Sequence, residues 1–247
     1  MALMEIRNLK KYFNVNGGQL HAVDDISVSI DRGQTLGIVG ESGCGKSTLG
    51  KVLMRLETAT EGEIIYDGTD LTKLSERQFK PYRRRIQMIF QDPFASLDQR
   101  MTVSQLIAEP IRTLTKEKDK KKIMGRAREL MDMVGLARRL ENTYPHELDG
   151  GRRQRIGIAR ALASEPELIV CDEPVSALDV SIQAQVINLL QDLQKQKNLT
   201  YIFITHDLSV VKHISDKIAV MYLGQIVETS GSKELFANTR SEERRVG

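Results

Sequence analysis

Residues Gly40–Ser47 read G-E-S-G-C-G-K-S and satisfy the pattern G-x-x-x-x-G-K-[ST]. The chemistry this spacing serves is phosphate binding. Glycines allow consecutive backbone N–H groups to curl around phosphate oxygens, and the N-terminus of the following helix adds a favourable dipole. On this reading Gly40, Glu41, Ser42, Gly43, Cys44 and Gly45 form the cradle, Lys46 reaches the β- and γ-phosphates, Ser47 ligates Mg²⁺ and Thr48 completes the set. A second group could do the matching chemistry. Leu168–Cys171 (L-I-V-C) is followed by Asp172 and Glu173. A buried parallel strand that ends in acids delivers carboxylates at its C-terminal end. Asp172 would hold Mg²⁺, directly or through water, and Glu173 would polarise the attacking water as general base. Taken alone, this strand end reads equally well as a solvated acidic turn.

Other features accompany these two. Gln91 follows I-Q-M-I-F and precedes Asp92-Pro93. His206 follows Y-I-F-I-T, another strand end. Ser176-Ala177-Leu178-Asp179 comes just after Pro174, and Leu148–Arg152 (L-D-G-G-R) precedes the stretch R-Q-R-I-G-I-A-R-A-L. A lone Gln or His at a strand end is more often structural, so the weight lies in the combination and its order.

The combination resembles the ATP-binding subunits of ABC transporters, and within them the ATPases of bacterial oligopeptide/dipeptide-type importers. The segments that carry the resemblance are I-F-Q-D-P-F-A-S-L-D-Q-R-M-T-V (Ile89–Val103), Y-P-H-E-L-D-G-G-R-R-Q-R-I-G-I-A-R-A-L (Tyr144–Leu162) and V-C-D-E-P-V-S-A-L-D-V-S-I-Q-A-Q-V-I-N-L-L (Val170–Leu190). It covers roughly Leu3–Phe236. The resemblance implies an α/β fold: a P-loop NTPase core with a parallel sheet flanked by helices, an antiparallel β subdomain and an inserted α-helical subdomain. It implies ATP and Mg²⁺ as cofactors. Gln91 becomes a metal-contacting lever to the membrane subunits, His206 the γ-phosphate sensor, and L-D-G-G-R (Asp149, Gly150, Gly151) the signature loop, with Asp179 also at the nucleotide. An aromatic ring is expected on adenine. Counting back from Ala22, Phe13 fits that place best and Tyr12 second, since stacking needs only a flat face.

The chain has 247 residues, enough for one large α/β domain or one domain plus a subdomain. A net charge of +3 is too small to argue for nucleic acid. Lys116–Lys122 (K-E-K-D-K-K-K) is a basic run whose helical surroundings read as a solvated face. No apolar stretch approaches the ~20 residues that span a bilayer, and Met1–Leu9 reads as a strand rather than a signal peptide. The expected place is the cytoplasmic face of the cell membrane, reached through partners. Cys44 and Cys171 belong to no metal-ligand pattern, and no disulfide is expected between them.

Elements that must position these residues are legible as periodic runs. Thr35–Val39 (T-L-G-I-V) suits a buried strand and Lys46–Leu56 a helix, the context the phosphate loop needs. Strand-like runs separated by the turn Asn14–Gly18 occupy Leu3–Ile30; Glu63–Tyr66 and Arg85–Phe90 read as further strands. Apolar residues recur at helical spacing at Val103, Ile107, Ile111 and Leu114, then at Ile123, Ala127, Leu130 and Val134. They mark a helical subdomain at about 95–148, inserted in one ATPase domain over residues 1–236. Helix Arg152–Ala163, strand Leu168–Cys171, helix Ile182–Gln194, strand Thr200–Ile204, helix Leu208–His213 and strands Lys217–Tyr222 and Gln225–Glu228 follow. Such alternation implies a parallel sheet with helices outside. The tail, residues 237–247, reads as non-native or disordered. Arg240–Gly247 (R-S-E-E-R-R-V-G) back-translates into a common sequencing-adapter oligonucleotide, and without it the net charge falls from +3 to +2.

The expected function is an ATPase subunit powering import of peptides or a similar small solute. Two subunits, a paralogue or a second copy, would sandwich two ATP molecules head to tail and pull on two multi-span permease subunits. An extracytoplasmic solute-binding protein would act indirectly. A soluble ABC ATPase of DNA repair or translation is the alternative, but this chain has neither a second ATPase domain nor a long coiled-coil insertion. A third reading, a weakly hydrolysing nucleotide-binding subunit, rests on Asp149, where the family has Ser, and on Arg152, where it has Gln.

Overall fold

The computed structural model describes residues 2–237, so Arg240–Gly247, the adapter-like tail, lies outside the described residues. In chain order the elements are β1 (Ala2–Val15), β2 (Gly18–Asp31), β3 (Thr35–Val39), α1 (Lys46–Leu53), β4 (Glu61–Tyr66), β5 (Thr69–Asp70) and α2 (Glu76–Phe79). Next come α3 (Tyr82–Arg85), β6 (Ile86–Ile89), α4 (Val103–Leu114), α5 (Lys120–Met133), α6 (Gly150–Leu162), β7 (Leu168–Asp172) and α7 (Val180–Lys197). The chain continues through β8 (Thr200–Thr205), α8 (Leu208–Ile214), β9 (Lys217–Tyr222), β10 (Gln225–Gly231) and α9 (Ser232–Ala237). They fall into two compact units, residues 2–79 with 200–237, and residues 80–199. These units divide the chain at other points than the expected 95–148 insertion, whose two long helices both belong to the second.

In the first unit, β2, β1, β4 and β5 form an antiparallel sheet in that order. β3 runs parallel to both β8 and β9, and β10 returns antiparallel along β9. Every residue of β3 and β8 is buried. That is why both read as nearly unbroken apolar runs, the pattern of strands covered on both faces. In register, Val39 pairs with Thr205.

In the second unit β6 and β7 are parallel, with Ile89 opposite Cys171. α4 packs against α5 and α6. The expected stripes are buried: Val103, Ile107 and Ile111 on α4, then Ile123, Ala127, Leu130 and Val134. Leu114 at the end of the first stripe is half-buried. The Gln105 side chain accepts the Thr102 backbone N–H at 2.9 Å and closes the start of α4.

Several boundaries differ from the periodic reading, each for a local reason. α1 stops at Leu53, not Leu56, because Arg55 adopts φ 52° and turns the chain out of the helix. α6 starts at Gly150 rather than Arg152, since Asp149 caps it. α7 runs to Lys197 and ends at Asn198, φ 52°, a left-handed cap. Arg85 closes α3 instead of opening β6, and the turn between β1 and β2 is tighter than Asn14–Gly18.

Candidate active site

In the first unit, β3 carries the chain to Gly40, and the loop wraps forward into α1. Gly45 sits at φ 104° directly before the helix, and its carbonyl accepts the Leu49 N–H at 2.9 Å. A Cβ at Gly45 would lie 1.9 Å from the Ala22 carbonyl oxygen, and one at Gly40 would lie 2.1 Å from that of Met221. Both glycines are therefore demanded by the strands that flank the loop, a constraint the motif alone does not reveal. Gly224 adds a third tie, its N–H donating to the Cys44 carbonyl at 3.0 Å. Lys46 is only 4% exposed. Its ammonium donates to the carbonyls of Gly40 (2.8 Å) and Glu41 (2.7 Å), with the Cys44 sulfur at 3.8 Å. The cation is thus fixed inside its own loop, where an anionic phosphate oxygen would find it.

The pairing of Val39 with Thr205 makes Gly40 and His206 the next residues after two adjacent parallel strands. The phosphate loop and the exposed His206 leave the sheet at the same end. Asp207 then caps α8, accepting the Ser209 N–H at 2.8 Å.

Tyr12 and Phe13 occupy successive positions of β1. The Tyr12 ring stacks on His21 across the strand pair, centroids 3.9 Å apart and planes 16° apart. Its hydroxyl donates to Asp24, which also accepts from Gln225 at 3.0 Å. The Tyr12 hydrogen bond holds the Asp24 carboxyl below its ordinary range and pushes the Tyr12 phenol up. Phe13 lies under the Lys11 ammonium, 4.6 Å from its ring centroid.

In the second unit the same strand logic recurs. Ile89 faces Cys171, and two residues beyond each lie Gln91 and Glu173. The Gln91 amide donates to the Glu173 carboxylate at 2.9 Å. Asp172, 4% exposed, is the last residue of β7. Glu173 adopts φ 44°, a left-handed conformation uncommon for a residue with a side chain and frequent where function fixes the backbone. Burial pushes the neighbouring Cys171 thiol up, so it stays protonated and is no nucleophile.

The L-D-G-G-R stretch forms the start of α6. The Asp149 carboxylate accepts the Arg152 backbone N–H at 2.8 Å, and its other oxygen lies 3.4 Å from the Arg152 Nε. A Cβ at Gly151 would meet the Ile182 side chain at 2.7 Å, so this glycine lets α6 approach α7. Gly150 faces Leu178 at a looser 3.2 Å. Asp179 caps α7 through its carbonyl, which accepts the N–H groups of Ile182 (2.9 Å) and Gln183 (2.8 Å).

One unit thus presents a glycine loop with a fixed ammonium, and the other a carboxylate pair with an amide on it. Residues 23–176 match the ABC transporter family, and the chain belongs to that family. It is an ATP-hydrolysing cassette of this type. The oligopeptide transport ATP-binding protein OppF of Bacillus subtilis (strain 168) is 54% identical over 96% of this chain and 78% of its own length. OppF of Salmonella typhimurium is 51% identical over 96% of this chain and 73% of its own. A dimeric ATP-binding cassette in a post-hydrolysis state, bound to ADP and Pi, superposes with a TM-score of 0.85 at 28% identity, covering 93% of this chain and 98% of that one.

Proposed function

We propose that this chain is the ATP-binding and ATP-hydrolysing subunit that powers an ABC importer for peptides or similar small solutes, on the cytoplasmic face of the cell membrane. The observation that carries the reading is the likeness to oligopeptide transport ATP-binding proteins along 96% of the chain, beside a sequence that carries the phosphate-loop motif Gly40–Ser47 and the strand-end residues Gln91, Asp172, Glu173 and His206. Lys46 and the loop amides of Gly40–Gly45 bind the β- and γ-phosphates. Glu173 acts as general base, with Gln91 holding its carboxylate; His206 senses the γ-phosphate. Phe13 is the preferred adenine platform. The Tyr12 ring is already stacked on His21 with its hydroxyl anchored, whereas Phe13 is covered by the Lys11 ammonium, which donates to the Thr58 carbonyl at 3.0 Å and pairs with Glu57 at 3.1 Å.

Mg²⁺ fits the donors available. Ser47, Asp172 and Gln91 each carry a side-chain oxygen, the donor class this ion takes, and would hold it together with waters and substrate phosphates. Among the described residues no cluster of three or more His, Cys, Asp or Glu forms a cage without phosphate. When bound, the ion would neutralise negative charge on the nucleotide phosphates.

Among the described residues no helix is long and apolar enough to cross a membrane. We assign the translocation path to two multi-span permease subunits, fed by an extracytoplasmic solute-binding protein. The second ATPase is a paralogue or another copy, whose phosphate loop meets Asp149, Gly150, Gly151 and Asp179 of this chain. One observation favours a weaker variant of the same reading: Asp149 places a carboxylate at the start of α6, so each ATP site that includes it hydrolyses slowly, one site in a dimer with a paralogue and both in a dimer with a second copy.

Co-reconstitution with the permease subunits in proteoliposomes tests the proposal. ATP-dependent uptake of peptide that requires this chain supports it; normal uptake without the chain contradicts it.

A further inference from the structure

The basic run noted in the sequence forms the corner between α4 and α5. Six cations and two acids lie between Arg112 and Lys122, giving this corner a net charge of +4 against +3 for the whole chain. Both acids are occupied locally: Glu117 accepts the backbone N–H groups of Lys118 and Asp119, and Asp119 caps α5 by accepting that of Lys121. Lys116, Lys118, Lys120, Lys121 and Lys122 are all exposed, and among the described residues their ammonium groups have no ion pair or hydrogen bond. The rest of α5 is different. Arg126 pairs with Glu129 and Arg128 with Glu141, each at 2.8 Å. The unpaired charge is therefore concentrated at one end of the helix. It is the end where cations oppose the helix dipole, and an anionic partner would relieve that cost.

Two further observations narrow the partner. A groove beside this corner is lined by Met101, Ala108, Ile123 and Met124 together with Arg112, Lys120 and the single acid Glu109. Apolar side chains thus sit directly beside the cations. No aromatic residue occurs between Phe94 and Tyr144, so nothing there can stack on a base, the main handle for single-stranded nucleic acid. The cations are mostly lysines, mobile point charges suited to a diffuse anionic surface, rather than arginine forks suited to one defined ligand.

We propose that the α4–α5 corner docks on the anionic phospholipid surface of the membrane, with the lysines on phosphate headgroups and the methionine-lined groove facing the headgroup–acyl boundary. The contact adds a direct membrane hold to whatever the protein partners provide, and it is independent of nucleotide chemistry.

The test uses the full chain and vesicles. The protein should co-sediment with vesicles of phosphatidylglycerol mixed with phosphatidylcholine and not with phosphatidylcholine alone, and salt should weaken the binding. Each lysine near an anionic surface is worth about a factor of five in affinity, so loss of two contacts gives about a twenty-five-fold drop. Replacing Lys116, Lys118, Lys120, Lys121 and Lys122 together by Gln should cause at least that drop, with ATPase activity and melting temperature held; the five Lys→Arg replacements should retain binding. The proposal is overturned if wild type ignores the anionic vesicles, binds both vesicle types alike, or binds as well after the Gln replacements. It is also overturned if polyglutamate or duplex DNA displaces the vesicles at equal charge concentration, which would assign the corner to an acidic protein or a nucleic acid. If the Gln variant fails to fold, the salt titration of wild type decides alone: binding unchanged by salt contradicts the proposal.

Discussion

Asp149 both caps α6 and lies beside the third residue of that helix: one carboxylate oxygen accepts the Arg152 N–H at 2.8 Å, while the other stands 3.4 Å from the Arg152 guanidinium. The two residues that the resemblance sets against the family's Ser and Gln thus neighbour each other. The guanidinium offsets part of the charge that Asp149 brings, though both side chains are about half exposed and such a pair is worth little to stability.

Asp149→Ser should therefore leave the melting temperature without nucleotide nearly unchanged, because Ser and Asp cap helices about equally well. Asp149→Ala, which loses the cap, should cost about 1 kcal/mol. A Ser hydroxyl can donate to a partner-bound γ-phosphate and a carboxylate cannot, so Asp149→Ser should raise ATPase activity and ATP-driven dimerisation. Equal turnover in the two forms would show that the carboxylate is accommodated.

Gly45→Ala should disrupt the loop from within. The new Cβ would meet the Ala22 carbonyl at 1.9 Å on a residue already at φ 104°. Strain of about 1–3 kcal/mol from the backbone conformation alone adds to that clash. Lower melting temperature together with lost nucleotide binding is the expected result in a thermal-shift series with and without ATP.

Much of the candidate site is legible because its residues lie at the ends of unbroken apolar runs. T-L-G-I-V before Gly40, L-I-V-C before Asp172 and Y-I-F-I-T before His206 each announce a buried strand and the residue it delivers. What pairs with what was not legible. The hydrogen bond from Gln91 to Glu173 spans 82 positions and depends on strand register. The closeness of Ala22 and Met221 to the phosphate loop likewise arises from tertiary packing, which no local spacing encodes. α2 and α3, four residues each, are too short to show a helical period, and the start of α6 was misplaced because the cap, not the apolar stripe, decides where a helix begins.

Lys46→Ala should weaken ATP binding about 10- to 100-fold, since it removes a charge-assisted contact of roughly 1.5–3 kcal/mol to the phosphates. Calorimetric titration with a slowly hydrolysed ATP analogue reads this directly. Undiminished affinity would remove Lys46 from the phosphate site.

The Tyr12–Asp24 pair predicts a pH effect of definite sign. The Tyr12 hydrogen bond depresses the Asp24 carboxyl in the folded chain. Its contribution to stability is therefore fully present above the ordinary carboxylate range and is lost as pH falls through the lowered folded value. Tyr12→Phe should return Asp24 towards an ordinary titration and flatten the acid limb of the stability curve, as followed by carboxyl NMR. An Asp24 titration that does not move in Tyr12→Phe would contradict the pairing.

The most direct test of the central claim is steady-state phosphate release from ATP by wild type and Glu173→Gln, with nucleotide binding measured in parallel. The amide keeps the size of the carboxylate and cannot take a proton, and loss of a general base costs about 10²–10⁴ in rate. The account predicts Mg²⁺-dependent hydrolysis by wild type, a fall of that order in the variant, and unchanged ATP affinity. Hydrolysis at the wild-type rate by Glu173→Gln, or none by wild type, would contradict it.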